Sequence, residues 1–265
     1  IAFAGVENIS IGDTISDNEK PNPLPRIKVD DPTVSMFFYV NDSPFSGQDG
    51  KFLTTRHLSE RLNREILSNV SLQVETTEKT NVFEVKGRGE LQMAVLIETM
   101  RREGYEFMVS KPQVIVKLIN NKKFEPMEKV FLDIPEEMVG IVTEKLSARK
   151  GKMTNLQNNG TGRINLEFLV PSRGLIGFRS QFMTDTKGAG LMNKLFDGYS
   201  PWLGSIPQRK SGALVSDRKG SVTTYACIGM ADRGELFVSV GTDVYDGMII
   251  GERNRDGDLN VNITR

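Results

Sequence analysis

Between Val82 and Val109 the hydrophobic period changes twice, and that change limits the folds open to this chain. Val82-Phe-Glu-Val-Lys86 alternates apolar and polar residues, the period of a half-buried strand. Gly87-Arg-Gly89 is turn chemistry. From Glu90 the period lengthens: Met93, Leu96, Ile97 and Met100 fall at i, i+3, i+4 and i+7, with Gln92, Glu98 and Thr99 off the stripe. Arg101 and Arg102 occupy the last turn, where cations suit the carbonyl end of the helix, and Gly104 closes it. Tyr105–Val109 is strand-like again. The stretch predicts strand, helix, strand.

Extended backwards, the pattern completes a unit. Val34–Val40 reads as a strand, followed by a polar loop over residues 41–50. A helix starting near Thr54 puts Leu58, Leu62 and Ile66 on one side, with Glu60–Arg64 and Arg61–Glu65 as i,i+4 pairs on the other. Leu72–Thr76 is a further strand. The order βαββαβ is that of a ferredoxin-like domain, with two helices on one face of an antiparallel sheet. We place it at residues 31–112.

Residues 113–202 repeat the order. Val114–Ile119 and Glu128–Ile134 are strand-like, and Pro135-Glu-Glu137 opens a helix with the stripe Met138, Val142, Leu146, ended by Arg149, Lys150 and Gly151. The turn at residues 158–162 leads into Ile164–Val170. Ser172 is positioned to cap one helix carrying Leu175, Phe178 and Phe182, and Met192–Tyr199 is the last strand. Residues 203–265 change to short β-like runs separated by Asp-Gly and Asp-Arg turns, which predicts a β-rich module with a strand at Val222–Ile228. At the other end, residues 1–19 resemble the last strands of a barrel domain, and Pro21, Pro23, Pro25 and Pro32 mark an extended linker, so residues 1–30 read as a barrel end plus linker. The expected class is α+β, and the chain reads as a piece of a longer protein truncated within its last module.

Charge is balanced overall, yet residues 111–195 hold 14 Lys and Arg against 8 Asp and Glu. A polyanion is sought there first. One cysteine, Cys227, fits a reducing compartment and excludes an internal disulfide. One histidine, His57, leaves little for zinc or for imidazole catalysis. No apolar run approaches the roughly 20 residues a membrane helix needs. Gly47-Gln-Asp-Gly-Lys51 is the nearest approach to a phosphate-binding loop, but it has two residues where four are required, and Phe52 replaces the magnesium-holding hydroxyl. It reads as a surface turn.

Several motifs carry a family resemblance. Ala4–Thr14 is similar to the end of the barrel domain of translational GTPases. Gly87-Arg-Gly-Glu-Leu91, Met100-Arg-Arg-Glu103 and Lys111-Pro-Gln-Val114 resemble the third domain of elongation factor G. Glu125-Pro-Met-Glu-Lys-Val130 with Pro135-Glu-Glu137 resembles that factor's fifth domain. Asp30–Phe38, Ser43-Pro-Phe45 and above all Pro171-Ser-Arg-Gly-Leu-Ile-Gly-Phe-Arg-Ser180 resemble the BipA/TypA family. The resemblance runs along the whole chain. It implies a cytoplasmic, ribosome-associated monomer that binds ribosomal RNA and protein and reaches toward A-site tRNA. GTP and magnesium would belong to a G domain outside these residues, so this chain is expected to hold no cofactor and no catalytic or metal site.

The candidate RNA contacts are Lys150, Lys152, Arg173, Arg179, Arg209, Lys210, Arg218 and Lys219. The clusters Lys122–Lys123, Lys145–Lys152 and Arg173–Arg179 compose the basic block, although lysines at a helix end also answer the helix dipole. Arg173 lies in a first helical turn, where an acid would be favoured; an outside anion or an internal carboxylate would explain it. Arg218 and Lys219 fall in a turn expected to be mobile, and Thr223, Thr224 and Tyr225 could add hydrogen bonds or stacking. His57 is expected to face solvent or cap local polar groups, Trp202 to pack at a hinge, and Asp256-Gly-Asp258 to form a turn with no calcium pattern. Three function classes stay open: a ribosome-docking module, an enzyme on ferredoxin-like scaffolds, and a ligand-sensing or structural module of paired domains.

Overall fold

The structure, a computed structural model, describes residues 11–25, 31–158, 160, 162–206 and 211–265. The chain divides into two compact units, Ile1–Ile206 and Pro207–Arg265. The strand-like segment at residues 1–10, Arg209 and Lys210 fall outside the described residues. Residues 11–25 contain turns and bends but no strand, and no barrel forms among the described residues.

Strand β1 (Val34–Val40), helix α1 (Thr55–Ser68), strands β2 (Gln73–Thr76) and β3 (Val82–Gly87), helix α2 (Glu90–Arg102) and strand β4 (Phe107–Val109) form the first domain. Its sheet runs β2-β3-β1-β4 with every neighbouring pair antiparallel, the ferredoxin-like order. The predicted stripes meet in one core: Leu58 and Leu62 from α1, Met93, Leu96 and Met100 from α2, and Phe38, Phe83 and Val85 from the sheet. Thr54 caps α1, its side chain accepting the His57 N–H. The expected Glu60–Arg64 pair is replaced by Arg56–Glu60 at 2.7 Å. Arg61 is not on the solvent side: it is buried, held by Glu65 at 2.9 Å and by both carboxylate oxygens of Glu103. His57 is half-buried, its ring edge-on to the partly exposed Phe52 with centroids 5.2 Å apart.

The loop over residues 41–50 is folded around one carboxylate. Glu106 accepts the N–H groups of Gly47, Asp49 and Gly50 and the Asn41 amide, the last at 2.6 Å. The donors that make this stretch look like a phosphate loop are thus turned onto an internal anion. Burial pushes the Glu106 carboxyl up, but the backbone donors of Gly47 and Gly50, with Asn41 and Asp49, outweigh it and hold it below its ordinary value. The contact therefore contributes fully above the ordinary carboxylate range and is lost as pH falls through the lowered value. Glu106→Gln is expected to raise amide exchange at Gly47, Asp49 and Gly50 roughly tenfold at neutral pH, the equivalent of about 1.4 kcal/mol. Hydrogen exchange read by NMR checks it; unchanged protection would mean the loop is held otherwise.

The predicted strand Val114–Ile119 splits between domains. Strand β5 (Gln113–Val114) pairs with β1 of the first sheet, whereas β6 (Lys117–Ile119) forms a hairpin with β7 (Lys122–Pro135). The hairpin turn is Asn120-Asn121, both left-handed, which Asn tolerates best after Gly. The second domain continues with α3 (Val139–Ala148), β8 (Lys152–Asn158), β9 (Arg163–Pro171), α4 (Ser172–Leu175), α5 (Phe178–Asp185) and β10 (Leu191–Pro201). Its sheet order is β10-β7-β9-β8, the first domain's topology again. Leu132, Ile134, Val142, Leu146, Phe168, Phe178 and Phe182 share its core. The single helix expected from Ser172 is two pieces, because Ile176 is extended and Gly177 takes a left-handed φ of 69° between them. Ser172 caps nothing; its hydroxyl is buried without a partner among the described residues.

The C-terminal unit comprises β11 (Ser211–Ser216), β12 (Gly220–Ser221), α6 (Thr224–Met230), β13 (Gly234–Leu236), β14 (Asp243–Val244), β15 (Ile249–Asp256) and β16 (Leu259–Val261). Its main sheet runs β13-β15-β11-β16. The strand predicted at Val222–Ile228 is instead mostly the helix α6. Thr223 caps it, accepting the Ala226 N–H, and Ala226 and Met230 pack at i, i+4 into a core with Leu214, Val244 and Ile250. No helix among the described residues is long and apolar enough to cross a membrane.

Candidate nucleic-acid interface

In the second domain α3 ends where α5 begins. Arg149, the last residue before the turn, donates to the carbonyls of Gly174 at 2.8 Å and Ile176 at 3.2 Å, and to the Gln181 side chain at 3.0 Å. Its guanidinium also lies over the Phe178 ring, 5.3 Å from the centroid. Burial lowers the Arg149 pKa, and the charge of Glu90 acts against that. Arg149 thus ties the turn at residues 149–152 to the start of α5, and serves structure. Glu90, from the first domain, accepts the Gly177 N–H at 2.9 Å, so an internal carboxylate already answers the amino end of α5.

Three cations remain outward on this end. Lys150, Lys152 and Arg179 are exposed and have no ionic partner among the described residues. Lys150 occupies the left-handed position of a Schellman turn, with φ of 66°, its N–H on the Ser147 carbonyl and the Gly151 N–H on that of Leu146 at 2.8 Å. Lys122 and Lys123 are exposed beside the β6–β7 turn. Lys145 is instead bonded to Asp185 at 2.6 Å, so the expected cluster contributes fewer free charges than its composition suggests.

Arg173 is the clearest correction. It does not face an outside anion. Its guanidinium makes a two-pronged contact with Glu125, whose side chain is 0% exposed, and donates to the Gly204 carbonyl. Glu125 also accepts the Leu203 N–H at 2.8 Å. The Arg173 guanidinium carbon lies 3.8 Å from the centroid of the Trp202 ring, which covers the cation on one side while itself staying 40% exposed. Arg173→Ala is therefore expected to lower stability, not RNA binding alone. The missed partner had a sequence signal: Glu125 and Glu128 are acids on the inward, apolar stretch of β7. Glu128 is likewise answered, by Lys194 at 2.8 Å.

In the C-terminal unit Arg218 is paired. Its guanidinium donates to both oxygens of Asp217 at 2.9 Å, and Ser216 donates to the Arg218 carbonyl at 2.8 Å. The turn expected to be mobile is internally hydrogen-bonded. Lys219 is exposed without an ionic partner among the described residues. Thr223 is spent on its cap, whereas Thr224 and Tyr225 are exposed on α6, Tyr225 at 81%. Asp258 accepts the Ala213 N–H at 2.8 Å, a strand-to-turn tie.

Comparison with known proteins gives this geometry a lineage. Residues 122–210 match the elongation factor G C-terminus family, and residues 211–265 the TypA/BipA C-terminal domain. Among relatives, the large ribosomal subunit assembly factor BipA of Bacillus subtilis is 48% identical over all of this chain and 44% of its own length. That of Synechocystis shares 48% identity over 100% of this chain and 44% of its own length, and that of Salmonella typhimurium 49% over 99% and 43%. The chain spans less than half the length of these relatives, and what it matches excludes a G domain. By the identity carried along its whole length and by the two domains it matches, the chain belongs to the BipA/TypA family.

Proposed function

We propose that this chain is the ribosome-docking part of a BipA/TypA factor, holding ribosomal RNA by shape and phosphate contacts while a G domain elsewhere in the protein handles GTP. The observation that carries the reading is the cation cluster Lys150, Lys152 and Arg179 on one end of the second domain, outward and without carboxylate partners among the described residues. Backbone phosphates need only donors held in place, and a domain end tied down by Arg149 holds them. The relatives are named as assembly factors of the large ribosomal subunit, which fits a partner made largely of RNA. We place its action in the cytoplasm. The C-terminal unit, with Lys219 and the exposed Tyr225, would reach toward tRNA in the A site.

The test is a salt series of sedimentation with purified large subunits. Binding should weaken steeply with salt, the log–log slope giving the phosphates neutralised. The variant Lys150→Glu/Lys152→Glu/Arg179→Glu should lose at least about tenfold in affinity and flatten the slope by about two to three. Lys150→Gly separates binding from stability: it relieves the left-handed lysine, gaining up to about 1 kcal/mol, and still weakens binding. Flat salt dependence, or full binding by the triple variant, would overturn the reading.

A further inference from the structure

The C-terminal unit carries a second cationic site that neither its turns nor its composition announce. A groove of about 370 Å³ is lined by Asp232, Arg233, Arg253, Asn254, Arg255 and Leu259. One wall is the turn after α6, the other is β15. They are locked together by backbone: the Asn254 N–H donates to the Arg233 carbonyl at 3.0 Å, the Asn254 amide to the Asp232 carbonyl at 2.7 Å, and Gly234 stands opposite Arg253 in the sheet. Arg253 and Arg255 are two apart on one strand, so their side chains leave the same face about 6.7 Å apart. Arg253 is further fixed by donating to the carbonyls of Asp256 at 3.1 Å and Gly257 at 2.9 Å, neutral acceptors that leave its charge uncompensated.

The groove is thus lined by three arginines and a single acidic residue, Asp232. Among the described residues none of the three arginines has a carboxylate partner. Elsewhere Arg61, Arg163, Arg173 and Arg218 hold carboxylates, and Arg179 shares the unpaired state of the groove arginines. Guanidiniums converging without internal anions are suited to an external one, and their planar forks match phosphate oxygens. The spacing along β15 is close to that of neighbouring phosphates on a nucleic-acid strand.

We propose that Arg233, Arg253 and Arg255 form a binding site for the phosphate backbone of RNA. The site belongs to the C-terminal unit, whereas Lys150, Lys152 and Arg179 belong to the N-terminal one, and it rests on the docking reading only for naming RNA as the source of the phosphates. Arg253 orders the turn at residues 256–257 as well as the groove; Arg233 and Arg255 are the pair to change.

The experiment is fluorescence anisotropy of a fluorescein-labelled RNA hairpin with the full chain, across a potassium chloride series. Arg233→Gln/Arg255→Gln should bind about tenfold more weakly, with a slope shallower by about one to two and an unchanged melting curve. The same drop should persist in a Lys150→Glu/Lys152→Glu background. ATP is added as competitor: displacement of the hairpin at ATP concentrations near those of the RNA phosphates would assign the groove to free nucleotides and overturn the RNA reading. Unchanged hairpin binding by a folded arginine variant would overturn the site outright, and leaves the docking proposal to its own lysine test. Should the variant fail to fold, phenylglyoxal modification of the unaltered protein decides: RNA should protect Arg233 and Arg255, and equal modification with and without RNA would dismiss the site.

Discussion

Arg173→Ala is expected to destabilise the N-terminal unit by about 3–5 kcal/mol, the cost of leaving a buried carboxylate without its cation. Glu125 has no route to water, and Arg173 is only 13% exposed on its side chain. Removing the guanidinium also strips the Gly204 carbonyl of its donor and exposes the face of Trp202. At roughly 2–4 °C per kcal/mol for a unit of this size, the melting temperature should fall by at least about 6 °C. Glu125→Ala should cost a similar amount. The double variant Arg173→Met/Glu125→Met should recover much of the loss, since replacing both charges by apolar groups removes the unpaired ion. Urea unfolding of the singles and the double closes the cycle. A single variant that melts normally would return Arg173 to the list of RNA contacts.

That reversal shows where sequence stops informing. Periodicity found the α1, α2 and α3 stripes because helix cores are set by local spacing: Leu58 and Leu62, Met93 and Met100, Val142 and Leu146 are all buried as read. It found the βαββαβ order twice for the same reason. It failed where the partner is distant along the chain. Arg173 meets Glu125 across 48 positions, and Arg61 meets Glu103 across 42, so no local pattern can announce either pair. It failed again at Val222–Ile228, whose β-branched and aromatic residues favour a strand while Thr223 offers a cap and Ala226 and Met230 a helical stripe; tertiary burial decided for the helix. Of the candidate site, Lys150, Lys152 and Arg179 were legible as exposed cations, but nothing in their spacing said that Arg149 would tie the turn carrying the two lysines to the start of α5, which carries Arg179. Arg233 is legible as a residue of the Asp232-Arg-Gly234 turn, but Arg253 and Arg255 lie on a strand that runs on past Ile250 to Asp256, and no local pattern says that it passes beside that turn.

Gly212→Ala is expected to unfold the C-terminal unit, whereas Gly229→Ala should leave it intact or firmer. A Cβ at position 212 would stand 1.8 Å from the Gly257 carbonyl oxygen and 2.8 Å from the Asp258 nitrogen. Both are backbone atoms and cannot swing aside as a side-chain tip can. To make room, the turn after β15 must lift off β11, which breaks the Ala213–Asp258 bond and loosens β11, a middle strand carrying the fully buried Leu214. A unit of this length is held by only about 3–9 kcal/mol, so a forced parting of two strands removes most of it. At Gly229 a Cβ meets nothing within 4 Å, and the site is helical. There alanine lowers the entropy lost on folding and gains about 0.5–1 kcal/mol. One substitution type, at two glycines of one unit, should thus act with opposite sign. Amide exchange resolved by residue reads both: Gly212→Ala should abolish protection across residues 213–261 and spare that of β7 and β9, while Gly229→Ala should preserve or raise it. Protection retained in Gly212→Ala would mean that the turn at residues 256–258 does not close over β11 in solution, and the groove beside it would lose the carbonyls that anchor Arg253.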